Sequence, residues 1–130
     1  MIKLLHTFSA RLAVLFLFFG KLLGAVHEAD ICVYGGTAGG VVAAVQAARL
    51  GKAVTLVEPG AHLGGMTSGG LSQTDIGNKA AIGGIAREFY QRLGKHYRKE
   101  EAWTFEPGVA ERAFNELVRE AGVKVFLRQP

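Results

Sequence analysis

The residues whose types and spacing suit chemistry are a glycine run, Gly35-Gly36-Thr37-Ala38-Gly39-Gly40, and a carboxylate, Glu58, about 20 residues further on. A glycine run set between a strand and a helix is a fingerprint for binding a dinucleotide. Gly35 lets the chain turn sharply off the strand, and Gly40 lets the helix pack close to the sheet. The backbone N–H groups at the helix start face a pyrophosphate, whose charge the helix dipole favours by about 0.3 to 2 kcal/mol. Glu58 is placed to accept hydrogen bonds from the adenosine ribose hydroxyls. It would repel a 2′-phosphate, and no Arg or Lys directly follows it to receive one, which disfavours NADP. In the pattern G-x-G-x-x-G the middle glycine is Thr37 here, which puts a side chain where the backbone should approach the phosphates. A turn before a purely structural helix is the other reading of the run.

A second stretch narrows the cofactor to FAD. In many flavoproteins the ribose-binding acid is followed after a few residues by a Gly-Gly pair whose backbone lies along the cofactor, and Gly64-Gly65, followed by Met66, stands at that place. An NAD-dependent dehydrogenase gives this pair no use. Three segments, VYGGTAGGVVAA at 33–44, LGGMTSGGLSQTD at 63–75 and FEPGVAE at 105–111, resemble consecutive signatures from the N-terminal portion of FAD-dependent oxidoreductases. These belong to the large flavoprotein class that also holds the succinate dehydrogenase and fumarate reductase flavoproteins. The resemblance implies FAD as cofactor, redox chemistry on an unnamed small-molecule substrate, and cofactor contacts at Gly35, Gly36, Thr37, Ala38, Gly39, Gly40, Glu58, Gly64, Gly65 and Met66. A threonine at the middle glycine position is familiar in that family. Its members are often exported bacterial proteins, and some carry cysteines for an iron–sulfur centre that this chain lacks.

The elements that must position these residues follow from periodicity. The apolar run at 30–34, closed by glycines, suits a buried parallel strand. Small and apolar residues at 39–50 suit a helix packed closely on a sheet, with Gly51 as its stop. Residues 53–57 are a second strand, stopped at Pro59 and Gly60. After the aperiodic glycine-rich stretch 60–78, the spacing of Ile82, Ile85, Phe89, Leu93 and Tyr97 predicts an amphipathic helix that Gly94 ends or bends. Pro107 opens a further helix with Val109, Ala113, Leu117 and Ala121 on one face and Gly122 as its stop, and 123–127 form a third strand. The fold class is α/β: the N-terminal βαβ part of a Rossmann-like, doubly wound parallel sheet, spanning 30–130 as a partial FAD/NAD(P)-binding domain.

Other polar residues give weaker signals. Ser68, Ser72, Gln73, Thr74 and Asp75 form a loop that lies near the cofactor or is a plain solvent loop, with Asp75 or Asn78 starting the next helix. His62 reads as an exposed loop histidine, Trp103 and Phe105 as packing residues, and Cys32 as a small buried hydrophobe. No usual metal-ligand spacing occurs, and no catalytic base or nucleophile is assigned, because those roles rest on mutual geometry.

The net charge of +4 shrinks once Lys3, Arg11 and Lys21 are set aside with the leader. The basic residues Arg92, Lys95, His96, Arg98 and Lys99 run straight into Glu100 and Glu101, which makes a solvated helix face and not a nucleic-acid patch. Residues 1–29 read as a signal peptide or, if uncleaved, an N-terminal anchor, because the apolar run LAVLFLFFG at 12–20 is far shorter than the roughly 20 residues of a spanning helix. The reading is therefore an exported protein, periplasmic or secreted. Its length of 130 residues is small for an enzyme that holds both FAD and a substrate, so the remainder of a longer flavoprotein is expected. A truncated, non-catalytic exported product is the remaining alternative.

Overall fold

The computed structural model describes residues 26–130, so all but the last four residues of the expected leader lie outside the described residues. Within it run β1 (Ile31–Tyr34), α1 (Ala38–Arg49), β2 (Val54–Glu58), α2 (Gly84–His96), α3 (Pro107–Glu120) and β3 (Lys124–Leu127), with single 3-10 turns at Gly65–Thr67 and Lys79–Ala81. The strands form one parallel sheet in the order β1-β2-β3, with Ile31 opposite Val54 and Thr55 opposite Lys124. Helices connect the parallel strands, as the lack of room for a tight turn between parallel neighbours requires. This is the α/β, Rossmann-like arrangement that the sequence pattern implies.

The core lies between the sheet and the helices. Val41, Ala44 and Val45 of α1 meet Val54 and Leu56 of β2, while Phe89 and Leu93 of α2 pack with Phe114 and Leu117 of α3. Phe89 and Phe114 stack at 4.4 Å between ring centroids. Side chains alternate across a sheet, so the residues between the core positions face the other way. That face is uncovered along β1 among the described residues: Cys32 is exposed and Tyr34 is 66% exposed. The expected burial of Cys32 is thus corrected, because an apolar strand buries both faces only when a second layer covers it.

Two further expectations change. The second amphipathic helix does not begin at Ile82, which has extended backbone at the end of a 3-10 turn, but at Gly84. Gly94 does not end it, since the helix runs on to His96. It sits buried in the last full turn, where the chain folds back across the helix so closely that a Cβ would stand 2.6 Å from the Glu100 carbonyl oxygen.

The basic run is also not uniformly solvated. Arg92 is largely buried and bonds Glu88 at 2.8 Å and Glu120 at 2.5 Å, while Arg49 bonds Glu88 at 2.7 Å. One ion network therefore ties α1, α2 and α3 together. The hydrogen bond from Arg49, helped by Arg92 and opposed by burial, lowers the Glu88 carboxyl from 4.5 to about 2. A depressed carboxyl stabilises the fold above its unfolded value and loses that contribution as pH falls from about 4.5 through about 2. Glu88→Gln is expected to cost about 1 to 2 kcal/mol at neutral pH, discounted for partial exposure, and close to nothing at pH 2. Urea unfolding of both proteins across this range checks it; a cost independent of pH would contradict the assignment.

Candidate dinucleotide-binding site

The glycine run leaves β1 through Gly35, whose φ of +103° turns the chain and whose N–H donates to the Val57 carbonyl at 2.7 Å. Thr37 then caps α1. Its Oγ1 accepts from the Gly40 N–H at 3.2 Å and its carbonyl accepts from the Val41 N–H at 2.9 Å. The side chain that departs from the glycine pattern is thus spent on the helix terminus. The first four N–H groups of a helix have no intrahelical carbonyl, so those of Ala38 and Gly39 remain for a ligand. The strict requirement at Gly40 is set by the loop itself and less by helix–sheet packing: a Cβ there would stand 1.9 Å from the Gly35 carbonyl oxygen.

Glu58 ends β2 beside this loop. Its Oε2 accepts from the Gly36 N–H at 2.6 Å and its Oε1 from the Gly60 N–H at 2.5 Å. A carboxylate offers about four acceptor sites, so two remain for a vicinal diol. The carboxylate is half-buried and fixed from both sides, which spares a ligand the entropy of ordering it.

The second glycine motif is brought onto the first. The Gly64 N–H donates to the Gly36 carbonyl at 2.7 Å, and Thr37 and Gly64 form an isolated parallel bridge. Gly65 stands over Thr37, with no room for more than a hydrogen on that side without tight contact, and Met66 is 78% exposed at its edge. Gly64 has a φ of +107° and lies against the Phe114 ring, where a Cβ would approach to 2.7 Å. Leu63, which sequence reasoning did not single out, and Ser68, which it placed only in a polar loop near the cofactor or in solvent, hold this arrangement. Leu63 is buried, and its carbonyl accepts from the Ser68 hydroxyl at 2.5 Å. A lone leucine before a glycine pair hints at the first; the second is visible as a polar loop residue, but nothing in the sequence announces its partner.

The polar loop is anchored to the segment before α3, although Gln73 and Asp75 stay exposed. The Thr74 N–H donates to the Trp103 carbonyl at 3.0 Å and the Phe105 N–H to the Ser72 carbonyl at 2.9 Å, while Gln73 pairs with Thr104 in an antiparallel bridge. Thr74 Oγ1 lies 3.1 Å from the Tyr90 hydroxyl, and the Tyr90 ring stacks on Trp103 at 3.9 Å. Trp103 and buried Phe105 are packing residues, as expected. Asp75 stays exposed, and Asn78 caps only the 3-10 turn. His62 is exposed as expected, but its Nδ1 lies 2.8 Å from Glu111 at the rim of an open cavity of about 350 Å³.

Comparison with known proteins matches residues 30–130 to the family model described as FAD dependent oxidoreductase. No curated protein sequence matches the chain. Among solved structures, the chain is similar to THI4 of Thermovibrio ammonificans, with 23% identity and a TM-score of 0.53 over 92% of this chain and 45% of that one. It is also similar to the 3-ketosteroid-delta4-(5alpha)-dehydrogenase of Rhodococcus jostii RHA1, with 16% identity and a TM-score of 0.48 over 82% and 39%. The chain thus spans less than half the length of either.

Proposed function

Because the chain belongs to the FAD dependent oxidoreductase family, we propose that the joined surface of its two glycine motifs and Glu58 is the part of the protein that grips FAD for oxidation or reduction of a small molecule. The observation that carries this reading is the hydrogen bond from the Gly64 N–H to the Gly36 carbonyl, which makes one surface of two separate motifs. The residues fit the cofactor: Gly40 leaves no side chain at the closest point of the loop, Ala38 and Gly39 offer N–H donors, and Glu58 keeps acceptor capacity. When bound, the flavin supplies the electron chemistry, and the protein supplies position.

In this assignment Gly35, Gly36, Thr37, Ala38, Gly39 and Gly40 follow the pyrophosphate, Glu58 receives the ribose hydroxyls, and Gly64, Gly65 and Met66 run along the cofactor beyond it. A wider kinship with the succinate dehydrogenase and fumarate reductase class, export through the apolar leader, and a longer flavoprotein supplying the rest of the substrate site belong to the same proposal. They are supported by the three sequence signatures and by the run at 12–20.

Glu58→Ala tests the ribose role. Removing charge-assisted hydrogen bonds worth about 1.5 to 3 kcal/mol should weaken FAD binding roughly 10- to 150-fold in a titration followed by flavin fluorescence. Because Glu58 also holds Gly36 and Gly60, a thermal melt of the variant must show it folded. A folded variant with unchanged affinity would refute the role.

A further inference from the structure

No basic residue directly follows Glu58 in the sequence, but the fold brings one to it. At the end of β3 the Arg128 N–H donates to the Gly60 carbonyl at 2.8 Å, and the next N–H, of Gln129, donates to the Glu58 carbonyl at 3.2 Å. Leu127, just before, is the register partner of Glu58. Arg128 has a φ of +58°, a left-handed backbone that a long side chain adopts at a cost. Arg98, with a similar φ of +56°, follows the end of a helix, where such a residue is ordinary; Arg128 follows a strand, where it is not. Such outliers persist where the surroundings over-determine them, often at ligand sites. The two backbone bonds supply that determination here. Arg128 is exposed, and among the described residues its guanidinium makes no ion pair.

Strand order says what it would meet. Ligands of open α/β sheets lie across the carboxyl ends of the strands. With the pyrophosphate at the loop after β1 and the ribose at the end of β2, the base comes next over the end of β3. We infer that Arg128 reads the adenine of the cofactor, its planar guanidinium laid on the face of the base. Arginine stacks on aromatic faces in this way and lysine does not match it. The fixed carboxylate of Glu58 next to it argues against a 2′-phosphate as the guanidinium's target.

This inference rests on the cofactor reading above, and the experiment separates the two. ADP and UDP share ribose and diphosphate and differ in the base, so both are titrated into the full chain, with binding followed by heat or by amide chemical shifts. Arg128→Gly suits the left-handed backbone and removes only the side chain. It is expected to raise the Kd for ADP about threefold to thirtyfold, to leave UDP nearly unchanged, and so to erase a preference for the purine; Arg128→Lys is expected to restore little of it. Equal ADP affinity in wild type and Arg128→Gly overturns the inference while leaving the site standing. Tighter wild-type binding of 2′,5′-ADP than of ADP, lost in the glycine variant, overturns it in favour of a phosphate reader. Absence of saturable ADP binding by the wild type up to about 1 mM removes the nucleotide site itself and the inference with it.

Discussion

Gly40→Ala is expected to empty the cofactor site. A methyl carbon at this position would lie 1.9 Å from the carbonyl oxygen of Gly35, inside any tolerable contact, and the obstacle is backbone, not a side chain that can rotate away. The Gly35 carbonyl shares its peptide plane with the Gly36 N–H, which Glu58 holds at 2.6 Å, so it cannot swing away without straining that bond at the end of β2. Overpacking typically costs about 1 to 3 kcal/mol, and a clash with backbone falls at the upper end of that range. The loop that relieves the clash no longer presents its N–H groups to a pyrophosphate. We expect the flavin carried through purification to fall at least roughly tenfold at equal protein, since each 1.4 kcal/mol lost is a factor of ten in affinity. Gly77→Ala, where a Cβ would meet nothing within 4 Å, serves as control. Wild-type flavin content in Gly40→Ala would show that the loop does not carry the cofactor.

Gly94→Ala is expected to damage the fold while sparing the site's own residues. Alanine is favoured over glycine inside a helix by about 1 kcal/mol, so a helix considered alone should gain. Here the new carbon would stand 2.6 Å from the Glu100 oxygen and 2.7 Å from the Lys99 oxygen, where the chain returns across α2 and the Lys99 N–H donates to the Gly94 carbonyl at 2.8 Å. The crowding outweighs the propensity, and we expect a net loss of about 2 kcal/mol, or a fall in Tm of roughly 8 to 16 °C for a domain of this size. Calorimetry or thermal circular dichroism checks this. A variant as stable as the wild type would mean that the return loop does not press on the helix.

These two glycines also mark how far the sequence could be read. Gly35 and Gly40 were legible because strand, turn and helix are local and their spacing is fixed by the chain itself. The close approach at Gly94 was not legible, because its reason lies six residues away across a reversal that no periodicity announces. Cys32 follows the same logic: an apolar strand announces that it is a strand, but not how many layers cover it. Arg92 sits in a run of basic residues that looks solvated in one dimension, yet its partners Glu116 and Glu120 come from the next helix. The glycine motifs and Glu58 were each visible, whereas their union through Gly36 and Gly64 was not. Ser68 reads in one dimension only as a polar loop residue, and nothing there announces its bond to the Leu63 carbonyl.

The seat of Gly64 against Phe114 makes the site and the core one thermodynamic object. Phe114 stacks on Phe89, so the glycine surface rests on the ring pair that joins α2 to α3. A ligand that binds only the folded chain stabilises it by about 2.7 kcal/mol at a hundred times its Kd. On the proposed cofactor assignment, cofactor supply then acts as a quality filter: chains that meet flavin early spend less time open, and chains that do not are the ones offered to proteases.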